Sequence, residues 1–323
     1  MNSEKKNIPI FFACDDNYLP YLSVTLASIE AHASDEHEYD IYVLTEGFSA
    51  EGEERLLNMP LPHLTVKTVN VNHMIENIKE QIKPRLRDYY SPSIFYRIFI
   101  PSLFPELDKA IYLDCDIVLT DDIAKLFFED IGDNILGAIA DESIAPVADF
   151  ARYVDEVIGS PEGVYINSGV LVINAAAYRE AKIEEKIIHL INKYNFDTVA
   201  PDQDYLNFLC RGRIHYFGMG WNKQPHYRSD FDNNDLHLIH YNMFEKPWCY
   251  KNVPYEEHFW RYANSSPFIE EIMSVCKRYT DEERKRDAMG AMALVQSAGR
   301  ICDDKCSFCH VITRESVDFS VKK

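Results

Sequence analysis

Lys109-Ala110-Ile111-Tyr112-Leu113-Asp114-Cys115-Asp116-Ile117-Val118-Leu119 is an apolar run broken by two carboxylates separated by a single residue. Bounded by Pro105 upstream and Thr120-Asp121-Asp122 downstream, it reads as a buried strand of a mostly parallel sheet, with its charges at the strand's end. An uncompensated buried carboxylate costs roughly several kcal/mol, so both aspartates call for an ion partner, a hydrogen bond or a bound cation. Oxygen ligands from Asp suit the hard ions Mg²⁺ and Mn²⁺, which complete their shells with phosphate oxygens. The run therefore predicts a metal–diphosphate site. The plainer alternative is a strand-end pair that caps the following turn.

Working outward, Ile8-Pro9-Ile10-Phe11-Phe12-Ala13 predicts a strand that ends at Cys14-Asp15-Asp16-Asn17-Tyr18, followed by a helix from Leu19 to His32. A second strand is expected over Tyr39 to Thr45, a helix over Ala50 to Asn58, and an alternating third strand over Leu64 to Val71. The order β-α-β-α-β favours a parallel sheet with flanking helices. Ligands in open α/β sheets sit at the carboxyl ends of the strands, where both the Asp15–Asn17 loop and the Asp114–Asp116 pair fall. Val164 to Asn174 reads as another strand, interrupted by an Asn-Ser-Gly step that permits close backbone approach, and Ala175 to Tyr194 as one helix. From Thr280 the chain changes character, with a charged helix start, a small-residue stretch at Met289-Gly290-Ala291-Met292-Ala293 and a cysteine-containing tail. The expected organisation is a catalytic domain over residues 1–265 and a C-terminal helical appendage over 266–323.

The chain has 323 residues, is 46% hydrophobic and carries a formal charge of −19. That charge argues against a nucleic-acid partner and gives no encouragement to an anionic membrane surface, so an anionic substrate needs a metal or local cations. No apolar run approaches the roughly 18 residues that would span a bilayer, and Met1-Asn2-Ser3-Glu4-Lys5-Lys6-Asn7 lacks the features of a signal peptide. The cytoplasm is the expected compartment. Most of the eight cysteines sit in apolar contexts and read as reduced and buried.

Weak signals gain weight by their order: Asp15-Asp16-Asn17-Tyr18, then Ser93-Ile94-Phe95-Tyr96-Arg97, the Asp pair, Asn167-Ser168-Gly169-Val170, Asp202-Gln203-Asp204, His240-Tyr241 and Lys246-Pro247-Trp248. In these residues, over about 8 to 260, the chain resembles glycosyltransferase family 8, retaining enzymes of the GT-A fold that include glycogenins and bacterial lipooligosaccharide galactosyltransferases. The resemblance implies an α/β GT-A fold with a mostly parallel central sheet and a Rossmann-like nucleotide-binding half. It implies that Asp114 and Asp116 hold Mn²⁺, or Mg²⁺, on the sugar-nucleotide diphosphate, with Cys115 between them also binding the donor. His240 matches a third ligand; imidazole is a common Mn²⁺ partner, whereas an Mg²⁺ site favours oxygen throughout. Without the resemblance, His240 reads as a hydrogen-bonded core histidine.

By the same resemblance, Ala13, Asp15 and Asn17 form the loop that holds the uridine, although Asn17 also suits a helix N-cap. Lys246 contacts the diphosphate and stabilises the leaving group. Arg97 faces the diphosphate and donor sugar, the alternative being a structural ion pair. Asn167, Ser168, Asp202 and Gln203 surround the donor sugar, and Asp141 lies near donor and acceptor. The implied reaction moves a hexose from UDP-galactose or UDP-glucose to a hydroxyl of a saccharide or lipid-linked glycan, with retention, in bacterial cell-surface glycan synthesis such as that of lipopolysaccharide. Same-face attack fits better than double displacement, because Gln203, at the position beneath the anomeric carbon, is a poor nucleophile; Asp202 is the alternative nucleophile. Membrane contact is expected to be at most peripheral, at the inner face, and a homo-oligomer is compatible with the sequence.

Two departures from the family pattern stand out. Met243 replaces the glycine of His-x-x-Gly-x-x-Lys-Pro-Trp, so either the loop bends differently or phosphate binding is weaker. Ser168 stands where alanine is frequent, a change that could add a hydrogen bond to the sugar. In the tail, Cys302, Cys306, Cys309 and His310 could form a tetrahedral zinc site, although free thiols are the simpler expectation. Two other classes compete. A haloacid-dehalogenase-like phosphatase would place Asp-x-Asp in its first strand and leave His240 and Lys246 idle. A non-catalytic UDP-sugar or glycan-binding protein would need none of the intact Asp114, Asp116, His240 and Lys246 for turnover.

Overall fold

The structure is a computed structural model that describes residues 5–72, 92–144, 146–160, 163–226, 228 and 230–315. Residues 1–4, part of the segment without signal-peptide features, lie outside the described residues. In chain order the elements are β1 (Lys6–Ala13), α1 (Leu19–His32), β2 (His37–Thr45), α2 (Ala50–Leu57), β3 (Leu64–Asn70), α3 (Tyr96–Leu103), β4 (Lys109–Leu113), β5 (Ile117–Leu119), α4 (Ala124–Phe128), β6 (Leu136–Ala140) and α5 (Ala148–Tyr153). They continue with β7 (Ile166–Asn174), α6 (Ala175–Glu180), α7 (Ile183–Tyr194), α8 (Pro201–Cys210), β8 (Ile214–Tyr216), β9 (Leu238–His240), α9 (Glu256–Ala263), α10 (Ile269–Arg278), α11 (Asp281–Cys302) and α12 (Phe308–Glu315). The chain forms two compact units, Met1–Asn72 with Ala110–Asp130 and Gly218–Lys285, and His73–Lys109 with Ile131–Phe217 and Arg286–Lys323.

In the first unit, β3, β2, β1 and β4 are neighbours in that order and pair in parallel, as the β-α-β-α-β reading requires. Ile8, Ile10, Phe11 and Phe12 of β1 are fully buried, the run of apolar residues expected where both faces of a parallel strand are covered. Helix α1 is apolar nearly all round and correspondingly buried. Its two buried hydroxyls act on β5 and the turn before it. Thr25 Oγ1 donates to the carbonyls of Cys115 (2.9 Å) and Ile117 (2.7 Å), and Ser28 Oγ accepts from the amide of Leu119 (3.0 Å).

These bonds explain a correction to the sequence reading. Lys109 to Leu119 is two strands rather than one. β4 stops at Leu113, the carbonyls of Cys115 and Ile117 turn to Thr25, and β5 pairs antiparallel with β9 in a separate ribbon, with Ile117 opposite His240. The carboxylates therefore occupy a turn, where they need not be accommodated within a sheet.

The second unit pairs β6 antiparallel with β7 and parallel with β8. Helix α8 opens with Pro201 at its first position, where the missing N–H costs nothing, and is buried along its whole length. Residues 175–194 form two helices, not one: Lys182 adopts a left-handed conformation (φ 54°) between α6 and α7. In the tail, Phe308 is buried against Phe196, Tyr205 and Phe208. No helix among the described residues is long and apolar enough to cross a membrane.

Candidate active site

The turn between β4 and β5 meets the end of β9 within the first unit. Asp114, Asp116 and His240 each offer one ligand atom, and these atoms lie within 4.8 Å of one another, the only such group among the described residues. His240 Nε2 stands 3.6 Å from Asp114 Oδ2 and 3.2 Å from Asp116 Oδ1, while its Nδ1 lies 2.9 Å from Asn222 Oδ1. Tyr112, in β4, donates its hydroxyl to Asp114 Oδ1 just past the strand's end (3.0 Å).

Asp116 is 8% exposed. Its Oδ2 receives the ammonium of Lys246, whereas its Oδ1 is buried and makes no hydrogen bond among the described residues. Burial disfavours the Asp116 charge, but the Lys246 ammonium outweighs it and holds the carboxyl well below the usual range. For Lys246, burial likewise opposes the charge and Asp116 restores it, so the ammonium is held above its ordinary value. An orphaned buried carboxylate oxygen beside a second carboxylate and an imidazole nitrogen is a donor set that fits a divalent cation.

The Lys246 loop is held firmly. Lys246 Nζ also donates to the Tyr241 carbonyl (2.7 Å), and Trp248 stacks on Tyr21 of α1 with ring centroids 3.9 Å apart. Within this loop Met243 adopts φ 59°, the left-handed region that glycine favours. Met243 thus occupies a backbone conformation that glycine takes without strain.

At the carboxyl end of β1, Cys115 Sγ contacts the Ala13 carbonyl (3.3 Å), so the first loop and the Asp turn are neighbours, as the strand order predicts. Asp15 Oδ1 accepts from the amide of Tyr18 (3.1 Å). Tyr18 is the N-cap residue of α1 and no side chain caps it, so the N-cap expected of Asn17 is not formed. Asn17 is exposed. Tyr18, 38% exposed, lies within electrostatic reach of Lys246, Asp116 and Asp114.

The second unit gathers the remaining predicted residues into one buried network. Arg97 is 5% exposed; its Nε lies 3.1 Å from Asp202 Oδ2 and its Nη1 donates to the carbonyl and hydroxyl of Ser168. The Ser168 hydroxyl donates to Asp202 Oδ2 (2.9 Å), and the Ser168 amide donates to Gln203 Oε1 (2.8 Å). Gln203 Nε2 and Asn167 Nδ2 both donate to Asp141 Oδ2, at 3.3 and 3.0 Å. The arginine thus forms the ion pair given as its alternative role, and the extra hydroxyl of Ser168 bridges that pair.

Asp204, quoted in the Asp202-Gln203-Asp204 motif but given no role there, is fully buried next to this network. It accepts from the hydroxyls of Tyr153 (2.7 Å) and Tyr165 and from the amides of Val199 (2.8 Å) and Ala200 (3.2 Å). Burial pushes its carboxyl up to about 6 against the pull of these four donors. Its adjacency to Asp202-Gln203 was the available signal. The tail residues Cys302, Cys306, Cys309 and His310 form no such ligand group, and His310 Nδ1 instead meets Ser307 Oγ at 2.7 Å.

A family model described as glycosyl transferase family 8 matches residues 9–252. General stress protein A of Bacillus subtilis is 26% identical over 282 residues, covering 79% of this chain and 92% of that protein. A lipopolysaccharide 1,2-glucosyltransferase of Escherichia coli is 24% identical over 280 residues, covering 82% and 80%. Among solved structures, the galactosyltransferase LgtC in complex with donor and acceptor sugar analogs aligns with a TM-score of 0.63 at 26% identity, over 83% of this chain and 100% of that one. The apo structure of the bifunctional glycosyltransferase WbbM aligns with a TM-score of 0.70 at 22% identity; the match covers 84% of this chain and about half (52%) of that one, and bears on fold alone.

Proposed function

Because this chain belongs to glycosyltransferase family 8 and has the GT-A architecture of its structural relatives, we propose that it transfers a hexose, galactose or glucose, from a UDP-sugar to a hydroxyl of a saccharide or lipid-linked glycan, with retention. The observation that carries this reading is the Asp114–Asp116–His240 group with its unbonded Asp116 Oδ1. These three residues would hold the divalent ion, Mn²⁺ in preference to Mg²⁺ because one ligand is imidazole. When bound, the ion would neutralise charge on the departing diphosphate.

The protein's own groups take the remaining roles. Lys246 supplies a fixed positive charge at the metal carboxylates, where the leaving group accumulates negative charge. Ala13, Asp15, Asn17 and Cys115 are assigned to the nucleotide, and Arg97, Asn167, Ser168 and Asp141 to the donor sugar and acceptor. Gln203 Oε1 is engaged by the Ser168 amide, and Asp202 is paired with Arg97, which lowers the nucleophilicity of both. This supports same-face attack: the acceptor oxygen bonds to the anomeric carbon on the face from which UDP departs, and the acceptor proton passes to the leaving diphosphate. Residues 1–265 are assigned to catalysis and 266–323 to an appendage, and the setting is bacterial cell-surface glycan synthesis.

The test is UDP release from a panel of UDP-sugars with Mn²⁺, Mg²⁺ or EDTA, first without acceptor. A metal-dependent signal with one sugar is expected and names the donor. UDP binding without release, persisting when glycan acceptors are added, would favour a binder without turnover. Absence of both binding and release would overturn the proposal.

A further inference from the structure

We infer that Asn222 is a positioning residue that fixes the tautomer of His240, so that Nδ1 carries the proton and Nε2 presents its lone pair to the Asp114–Asp116 carboxylates. The inference rests on the metal reading of that group and adds the residue that prepares the third ligand. His240 and Asn222 are each 1% exposed, so neither ring nor amide can exchange partners with solvent. A neutral imidazole has one donor and one acceptor nitrogen, and the nitrogen that meets an amide oxygen must be the donor. With Nδ1 2.9 Å from Asn222 Oδ1, the bare nitrogen is Nε2. It stands 3.2 Å from Asp116 Oδ1 and 3.6 Å from Asp114 Oδ2, with no hydrogen bond to Asp116 Oδ1, so the three atoms are grouped as ligands to one cation would be.

The turn that carries Asn222 is fastened so that this amide cannot drift. Met219–Asn222 is a short 3₁₀ turn. Gly220 lies flush against the carbonyl of Asp235, where a Cβ has no room, and its own carbonyl accepts from His237 (3.0 Å). Trp221 stacks on His237, with ring centroids 4.5 Å apart. On the other side of Asn222, the Lys223 amide donates to Leu238 and the His240 amide donates to Lys223, both at 2.9 Å. Asn222 is thus clamped between two attachments, one to His237 just before β9 and one to β9 itself, the strand that ends in His240. Histidine ligands of metals generally donate their second N–H to such a partner, and its loss weakens metal binding about 10- to 100-fold.

The experiment uses the full chain, with Mn²⁺ as the probe and free Mn²⁺ read by electron paramagnetic resonance, on wild type, Asn222→Leu and Asn222→Asp. The tautomer of His240 is read separately, without metal, from its ¹⁵N shifts. The expected results are an Nδ1–H tautomer in the wild type, Mn²⁺ affinity lowered about 10- to 100-fold in Asn222→Leu, and affinity kept in Asn222→Asp, whose carboxylate accepts the same proton. Wild-type affinity in Asn222→Leu, or a neutral His240 ring with its single proton on Nε2, would overturn the inference. The tautomer measurement decides the matter even if the leucine variant does not fold. Failure of the wild type itself to bind Mn²⁺ would instead strike down the metal reading, and the inference with it.

Discussion

Glycine at position 243 should leave the protein more stable than alanine at the same position, the reverse of the ordering at most sites. Met243 sits at φ 59°. A residue with a Cβ pays about 1–2 kcal/mol to occupy that region, which glycine does not. Against this, glycine gives the unfolded chain extra freedom worth about 0.4–1 kcal/mol relative to alanine. The Met243 side chain is 44% exposed, and both substitutions shed nearly the same apolar contact, so this loss cancels in the comparison. Glycine should therefore lead alanine by roughly 0.5–1 kcal/mol, read as a higher urea midpoint at a common slope. UDP affinity of Met243→Gly should match the wild type, since the loop already bends as a glycine would bend it. Alanine equal to or more stable than glycine would refute the left-handed assignment and the account of the loop built on it.

Asp116→Asn should abolish metal-dependent turnover and lower the melting temperature, because Lys246 keeps its charge and loses its counter-ion; the loss is bounded by the roughly 3–5 kcal/mol of a broken buried pair. Turnover near the wild-type rate would remove Asp116 from the metal site. Lys246→Ala should slow donor cleavage substantially, and an unchanged single-turnover rate would exclude it from the leaving-group role. Ser168→Ala removes a hydrogen bond to the charged Asp202 and should reduce stability by about 1.5–3 kcal/mol in chemical denaturation, whereas a neutral result would mean that the hydroxyl adds nothing to the hold on the carboxylate. Asp204, pushed up to about 6 by burial, favours its neutral form in the fold. Its contribution is therefore full below about pH 4 and fades as the pH rises through 6, so Asp204→Asn should flatten the fall in stability between about pH 4.5 and 7. A slope unchanged by the substitution would contradict that assignment.

The parallel β1–β2–β3 arrangement and α1 were legible because their patterns are local: buried apolar runs, alternating polarity and a helix with clean ends. Asp114, Asp116 and His240 were legible through order and residue type, and the structure brings their ligand atoms together. The break in Lys109–Leu119 was not, because the apolar pattern resumes after Asp116 and only a distant strand reveals that the second half pairs elsewhere. The break at Lys182 has no glycine or proline to announce it. At the start of α1, the side chain that engages the turn is Asp15 rather than Asn17, a choice among polar neighbours that composition cannot make. Asn222 lies in a turn remote from any recognisable motif, and its contact with His240 exists only once Gly220 and Trp221 have docked on the Asp235–His237 segment that leads into β9. The phosphatase alternative lost its basis with the family assignment.

The pairing of β5 with β9 also sets a timetable for synthesis. Ile117–Leu119 has its partner in Leu238–His240, roughly 120 residues later, so at about 5–20 residues per second a ribosome makes β5 some 6–24 s before the strand that completes it. During that interval the nascent chain carries a short apolar strand with an open edge. The aspartates next to it, whose charges discourage edge-to-edge association, would then act as guards against misassembly before they ever serve as ligands.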